Sequence, residues 1–122
     1  MKIAPYWAAP WDVAWIGGRR VPGRCEVKAI SSATKRHPAR INVRCAIYTV
    51  GQWRLLRKLI SAVAPGKSGR PRRLAVYHPF TQMIGVQRVV VEAVGRPKRG
   101  YRDGPGTKTV TFRCAVAPGR AA

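Results

Sequence analysis

The chain has 122 residues, of which 46% are apolar, and its 24 Lys and Arg residues oppose only 4 Asp and Glu residues, giving a formal charge of +20. This length fits one domain with a single hydrophobic core, residues 1–122, and the apolar fraction excludes a disordered basic tail. So large a charge repels itself and is usually neutralised by a polyanion or an acidic neighbour, which predicts a partner without identifying it.

The N-terminal segment is apolar, but Pro5, Pro10 and Asp12 interrupt it, so it lacks the continuous apolar region of a signal peptide. No stretch of about 18 apolar residues occurs, so we expect no membrane contact and a location inside the cell. We interpret residues 1–10 as an apolar arm that contacts other proteins, because aromatic residues are enriched at interfaces. Its candidate anchors are Tyr6, Trp7 and Trp11.

Three segments in the first half of the chain alternate apolar and polar residues, as half-buried strands do. They are WDVAWI (residues 11–16), which a Gly-Gly turn ends, RCEVKAI (24–30) and INVRCAIYTV (41–50). The polar, basic segment 31–40 between the last two is expected to be an exposed loop. The predicted buried face of the second and third strands comprises Cys25, Val27, Ala29, Ile41, Val43, Cys45 and Ile47.

The period then changes to three and four residues, which predicts a helix over about residues 52–63 that ends before Pro65-Gly66. Basic residues lie mostly on the opposite side of this helix. Its predicted apolar side comprises Trp53, Leu55, Leu56, Leu59, Ile60 and Val63.

Strand patterns return in the second half, over residues 73–80, where Pro79 is expected to end the strand, 84–94 and 107–118. Residues 95–106 are expected to form a long exposed loop, and 118–122 a frayed end. The order of strands, one helix and strands predicts a mainly β (α+β) fold. Its architecture would be an antiparallel β-sandwich or a partly open barrel with one packed helix.

The tripeptide Gly66-Lys67-Ser68 looks like the end of a phosphate-binding loop, but it fails the test for a nucleotide site. That motif requires a preceding glycine where Ser61 stands, and it connects a strand to the start of a helix. Here the tripeptide follows a helix and precedes a strand. We therefore expect no bound nucleotide and no other cofactor.

Catalytic and metal sites are not predicted either. The cysteines at positions 25, 45 and 114 form no CxxC pattern, so we expect no zinc site and interpret them as small buried residues. Intermolecular disulfides remain an alternative should these cysteines be exposed. The acids are scattered, and we interpret His78 as a strand-end residue with local hydrogen bonds. We expect that the protein is not an enzyme.

Basic residues are concentrated in three predicted loops, where they are candidates for contacts with DNA, RNA or acidic protein surfaces. Tyr101 lies within the third loop and could stack on a base. The candidate contact residues are Lys35, Arg36 and Arg40, then Lys67, Arg70, Arg72 and Arg73, and finally Arg96, Lys98, Arg99, Tyr101 and Arg102.

From residue 41 to residue 116, a strand leads into GQWRLLRKLISAV, a Gly/Pro loop, LAVYHP, IGVQRVVVEAV and a closing TKTVTF strand. This order resembles small tail and baseplate proteins of contractile-tailed bacteriophages, including the N-terminal domain of the tail proteins named after DNA circularisation. The resemblance implies a virion structural protein that assembles as a homo-oligomeric ring around the tail tube or hub. It implies a location in the virion tail after synthesis in the host cytoplasm, and no catalytic residues.

The high arginine content departs from this family, with 17 Arg against 7 Lys. The alternative hypothesis is therefore an RNA-binding structural protein of a ribosome-like particle, which the charge and the long basic loops favour.

Overall fold

Antiparallel strands form most of the structure, with two helices packed among them. The computed structural model describes residues 12–64, 72–99 and 108–117. The elements in chain order are β1 (Trp15–Ile16), β2 (Arg19–Arg20), β3 (Arg24–Ser31), β4 (Arg40–Ile47), α1 (Val50–Val63), β5 (Leu74–Tyr77), α2 (Pro79–Met83), β6 (Arg88–Val94), β7 (Lys98–Arg99) and β8 (Lys108–Val116).

The strands pair in the order β2-β1-β5-β6-β8-β4-β3, and β7 also pairs with β8. All of these pairings are antiparallel. Just before β1, Asp12 exchanges two backbone hydrogen bonds of 2.8 and 2.7 Å with Cys25 of β3. This bridge connects the two ends of the strand order, so the sheet curves into a partly open barrel. The predicted mainly β, antiparallel α+β fold is confirmed.

The core lies on the concave side of this sheet. In the middle of β4 and β8 buried residues alternate with more exposed ones, and Val43 lies directly opposite Phe112, both with no exposed surface. The alternation is interrupted by Ala46, Thr109 and Ala115, which are buried as well. Helix α1 adds Leu56, Leu59 and Val63 to the same cluster. The inward residues of β4 and β8 are Ile41, Val43, Cys45, Ile47, Val110, Phe112 and Cys114.

Helix α1 begins two residues before the predicted start because its first turn is capped. The Thr49 side chain accepts a hydrogen bond from the Gln52 backbone N–H, and the Gln52 side chain accepts from the Thr49 backbone N–H. This reciprocal capping box satisfies donors that would otherwise lack partners at a helix start. The prediction that Leu55 lies on the buried side is wrong, because its side chain is 59% exposed.

A second helix, α2, stands where a strand interrupted by Pro79 was expected, so the prediction of a single helix is incomplete. Proline is well accommodated in the first turn of a helix, where its missing N–H would have no intrahelical partner. His78 caps α2 and Pro79 begins it. The chain then turns at Gly85, with φ of 74°, so that β6 begins at Arg88 instead of residue 84.

Two further expectations differ from the structure. Ala29 is exposed although it pairs in register with the buried Ile41, and the register of β3 becomes irregular only after it, between Ala29 and Ser31. Within the segment expected to be a loop, Lys98 and Arg99 pair with the start of β8. The predicted arm, residues 1–10, and the predicted frayed end, residues 118–122, lie outside the described residues.

Candidate interaction surfaces

The side chain of His78 is fully buried and connects distant parts of the fold. The backbone N–H of Phe80 lies 3.0 Å from Nδ1, and the carbonyl oxygen of Cys25 lies 2.8 Å from Nε2. Because a backbone N–H only donates and a carbonyl only accepts, Nδ1 accepts and Nε2 carries the hydrogen. The ring thus caps α2 and holds it against β3, which is more than the local role predicted for it.

All three cysteines are buried free thiols. Burial raises the pKa of Cys45 and of Cys114 to about 12, and it raises the pKa of Cys25 as well. Cys25 and Cys45 lie opposite each other on β3 and β4, and the charge on one further disfavours ionisation of the other. Thiolates are the reactive form, so these residues are inert packing groups in the folded protein.

We expect a thiol reagent such as Ellman's reagent to leave the native protein unmodified and to titrate three thiols after denaturation. We also expect stability to fall above pH 9, because the unfolded thiols ionise near their ordinary pKa of 9.0 while Cys45 and Cys114 stay protonated until about 12. Urea unfolding at pH 8 and pH 11 measures this loss, which should be smaller in a Cys114→Ala variant. Rapid labelling of the native protein at neutral pH would contradict the assignment.

The part of the chain that the structure describes gives no support for metal binding by the three cysteines. Within the described parts of the chain, no three His, Cys, Asp or Glu residues lie close enough to hold a metal ion.

The first predicted basic loop is divided by the structure. Lys35 and Arg36 are exposed in the segment between β3 and β4, which Thr34 shapes by accepting hydrogen bonds from the backbone N–H groups of Arg36 and His37. Arg40 instead begins β4 and pairs with Glu92 of β6, with Nε 2.9 Å from Oε1 and Nη2 3.4 Å from Oε2. Arg40 therefore already has an anionic partner.

The second and third predicted loops are described only in part. Arg72 and Arg73 are exposed, and Arg72 donates a hydrogen bond to the carbonyl of Ala62 near the end of α1. Arg96 and Lys98 are exposed as well, and Arg99 belongs to β7. The other residues predicted for contacts lie outside the described residues: Lys67, Arg70, Tyr101, Arg102 and the arm anchors Tyr6, Trp7 and Trp11.

The sequence-based assignment missed a second group of cations, which lies on the convex side of the sheet. Lys28, Asn42 and Arg113 stand side by side on three neighbouring strands, because the register pairs Lys28 with Asn42 and Asn42 with Arg113. The alternation of apolar and polar residues could have indicated this surface, since Lys28, Asn42 and Arg113 occupy the polar positions of their strands. We call this surface the basic sheet face; its cations are Arg24, Lys28, Arg44, Arg88 and Arg113.

Two acids lie within the basic sheet face and moderate its charge. Glu26 Oε1 lies 3.5 Å from Arg44 Nε, and Glu92 pairs with Arg40. No ion pair among the described residues involves Lys28, Arg88 or Arg113. The basic sheet face therefore retains a net positive charge that a phosphate backbone or an acidic protein could neutralise.

An aromatic pair lies on the same convex side near the other end of the sheet. Trp15 and Tyr77 are directly opposite on β1 and β5, and they are 42% and 48% exposed. Trp15 thus faces solvent, while its neighbours Ala14 and Ile16 are buried. Large aromatic side chains left in water are typical of surfaces that bind another protein.

No helix among the described residues is long and apolar enough to cross a membrane. Comparison with known proteins gives no match: no family model, no curated protein and no solved structure is significantly similar to this chain.

Proposed function

We propose that this protein is a structural component of a phage tail or baseplate, which assembles by protein–protein contacts around the tail tube or hub. The proposal comes from the order of elements over residues 41–116, and the observation that most favours a structural over a catalytic role is the environment of His78 before Pro79. The histidine is buried and bonded to Cys25 and Phe80, so its chemistry is used to hold the fold together. A reactive histidine would need access to a substrate.

The surface also favours a role in assembly. Trp15 and Tyr77 form an exposed aromatic pair, and Val50 and Leu55 of α1 are 69% and 59% exposed. Exposed apolar side chains on a strongly charged surface favour association, because contact with another protein removes them from water. In the proposed ring, copies of this chain would carry +20 each, so we expect acidic proteins or a polyanion such as DNA between or beside them.

The test is to isolate the particle that contains this chain and to treat it with nuclease in high salt. We expect the chain to stay with an RNA-free particle, which electron microscopy should show as a tail, baseplate or ring. Release of the chain into the soluble fraction by this treatment would contradict the proposal.

The second candidate function, RNA binding within a ribosome-like particle, is favoured by the basic sheet face. If this function is correct, homopolymer RNA should bind the purified protein with a strong salt dependence. A Lys28→Ala/Arg113→Ala variant should then lower the slope of log affinity against log salt by about 0.7 for each lost phosphate contact. The matched control is Lys35→Ala/Arg36→Ala, which removes the same charge from a loop, and equal slopes in the two variants would exclude the sheet face as the binding surface.

A further inference from the structure

A groove of about 380 Å³ runs between the β1–β2 hairpin and one side of α1. Its floor is apolar, because Leu55 and Leu59 of the helix line it together with Pro22. Leu59 is buried, while Leu55 is 59% exposed, so the groove leaves a large apolar side chain uncovered. This volume lies within the range of sites that hold ligand groups, and it can accept a bulky side chain.

Fixed elements form both walls of the groove. On one side, the Val21 backbone N–H donates to the carbonyl of Ala14 at 2.9 Å, which holds the chain that follows the hairpin. On the other side, the capping box between Thr49 and Gln52 sets the first turn of α1. The groove is therefore preformed, and a ligand need not order it on binding.

The rim of the groove is positive. Arg19 and Arg20 lie on the hairpin side and Lys58 on the helix side, and all three are exposed. None of the groove-lining residues that the structure describes is acidic. The two ion pairs among the described residues use Arg40 and Arg44, so the three rim cations retain their charge for a ligand.

The combination of an apolar floor and a cationic rim discriminates between classes of ligand. Nucleic acid would satisfy the cations, but its backbone would leave Leu55 uncovered. Within the described ranges of the chain, no aromatic side chain on which a base could stack lines the groove. A second copy of this chain is disfavoured, because it carries only 4 acids against 24 cations. An acidic protein segment with an apolar side chain matches both features.

We infer that this groove binds an acidic segment of a different protein. An apolar side chain of that segment would lie on Leu55 and Leu59, and its flanking carboxylates would pair with Arg19, Arg20 and Lys58. The inference deepens the proposed structural function, since it gives the chemistry of a neighbouring subunit that offsets the charge of this one.

The test uses a fluorescein-labelled synthetic peptide in which pairs of glutamates alternate with single leucines. A second peptide of the same length and charge has serine in place of each leucine. Fluorescence anisotropy should show that the leucine peptide binds, and that the serine peptide binds about tenfold more weakly. A single-stranded oligonucleotide of equal charge should fail to displace the leucine peptide.

Variants of exposed residues locate the binding surface without disturbing the core. Leu55→Gln and Lys58→Glu should each weaken binding of the leucine peptide about tenfold. The matched control is Arg57→Glu, the same charge reversal on the same helix at a residue that does not line the groove, and it should leave the affinity nearly unchanged. Circular dichroism should confirm that all three variants are folded.

Equal binding of the two peptides, or equal weakening by Lys58→Glu and Arg57→Glu, would overturn the inference, because either result would mean that charge alone drives binding. Displacement by the oligonucleotide would do the same and would favour a nucleic-acid surface. Peptide binding does not require the assembled particle, so this result and the nuclease test of the proposed function can fail separately.

Discussion

Replacement of Gly23 by alanine is expected to destabilise the protein by more than about 3 kcal/mol, a large share of the stability of a domain of this size. Gly23 has φ of 77°, and a Cβ atom there would lie 2.0 Å from the carbonyl oxygen of Ala46. Ala46 is a buried residue of β4, so its backbone can move only if the pairing of β3 and β4 moves with it. The left-handed backbone adds a strain that glycine alone avoids.

Gly18→Ala is the matched control, because Gly18 also has φ of 77° but no non-adjacent described residue places an atom within 4 Å of the added Cβ. It should cost only about 1 kcal/mol, the strain of the left-handed conformation. Denaturant unfolding of the two variants measures the difference. Similar losses in both would mean that backbone strain dominates and that the close approach to Ala46 relaxes easily.

Replacement of His78 by alanine is expected to cost about 3–5 kcal/mol. The change removes the ring's hydrogen bonds with the Cys25 carbonyl, which still accepts from the Asp12 N–H, and with the Phe80 N–H, and it leaves a cavity where a fully buried ring had been. Loss of a buried hydrogen bond is destabilising because water cannot replace it in the folded protein. Thermal and denaturant unfolding measure this loss.

Two variants separate the functions of the His78 ring. In His78→Asn, the side-chain oxygen can accept from Phe80 as a helix cap but is too short to reach Cys25, so about 1 kcal/mol should be recovered relative to alanine. His37→Ala, at an exposed loop residue, should have little effect. If His78→Ala were as stable as His37→Ala, the ring would not connect α2 to β3 as the distances indicate.

Local sequence patterns predicted the helices and strands that have one buried face and are long enough for their periodicity to be visible. The alternation at Ile41, Val43, Cys45 and Ile47 identified the inward side of β4, because residues two apart share a face of a strand. The spacing of Leu56, Leu59 and Val63 identified the inward side of α1 in the same way.

Short elements gave no such signal. Helix α2 has five residues, fewer than two turns, so no periodicity develops. The local pattern therefore predicts that Pro79 ends a strand, whereas it is the first residue of a helix. Leu55 was misassigned for a different reason. Its position on the helix is next to the buried side, and only the extent of the sheet beside α1 decides whether it is covered.

The candidate surfaces were predictable to different degrees. The excess of cations was evident from composition, and their strand positions already placed Lys28 and Arg113 away from the core. The proximity of Lys28 to Arg113 was not predictable, since these residues become neighbours only because β3 and β8 both pair with β4. The groove likewise joins Arg19 and Arg20 to Lys58, and no sequence pattern connects a hairpin to a helix that follows it by thirty or more residues.

The sequence by itself determined the mainly β class, the inward positions of β4 and β8, those of α1 apart from Leu55, and a net charge of +20, because each of these depends on residue type and short spacing. The tertiary structure alone decided the closure of the sheet through Asp12 and Cys25, the buried bond between His78 and Cys25, and the grouping of cations on the convex sheet and around the groove. These features depend on contacts between residues far apart in the chain, whose relative positions are set only when the whole sheet has formed.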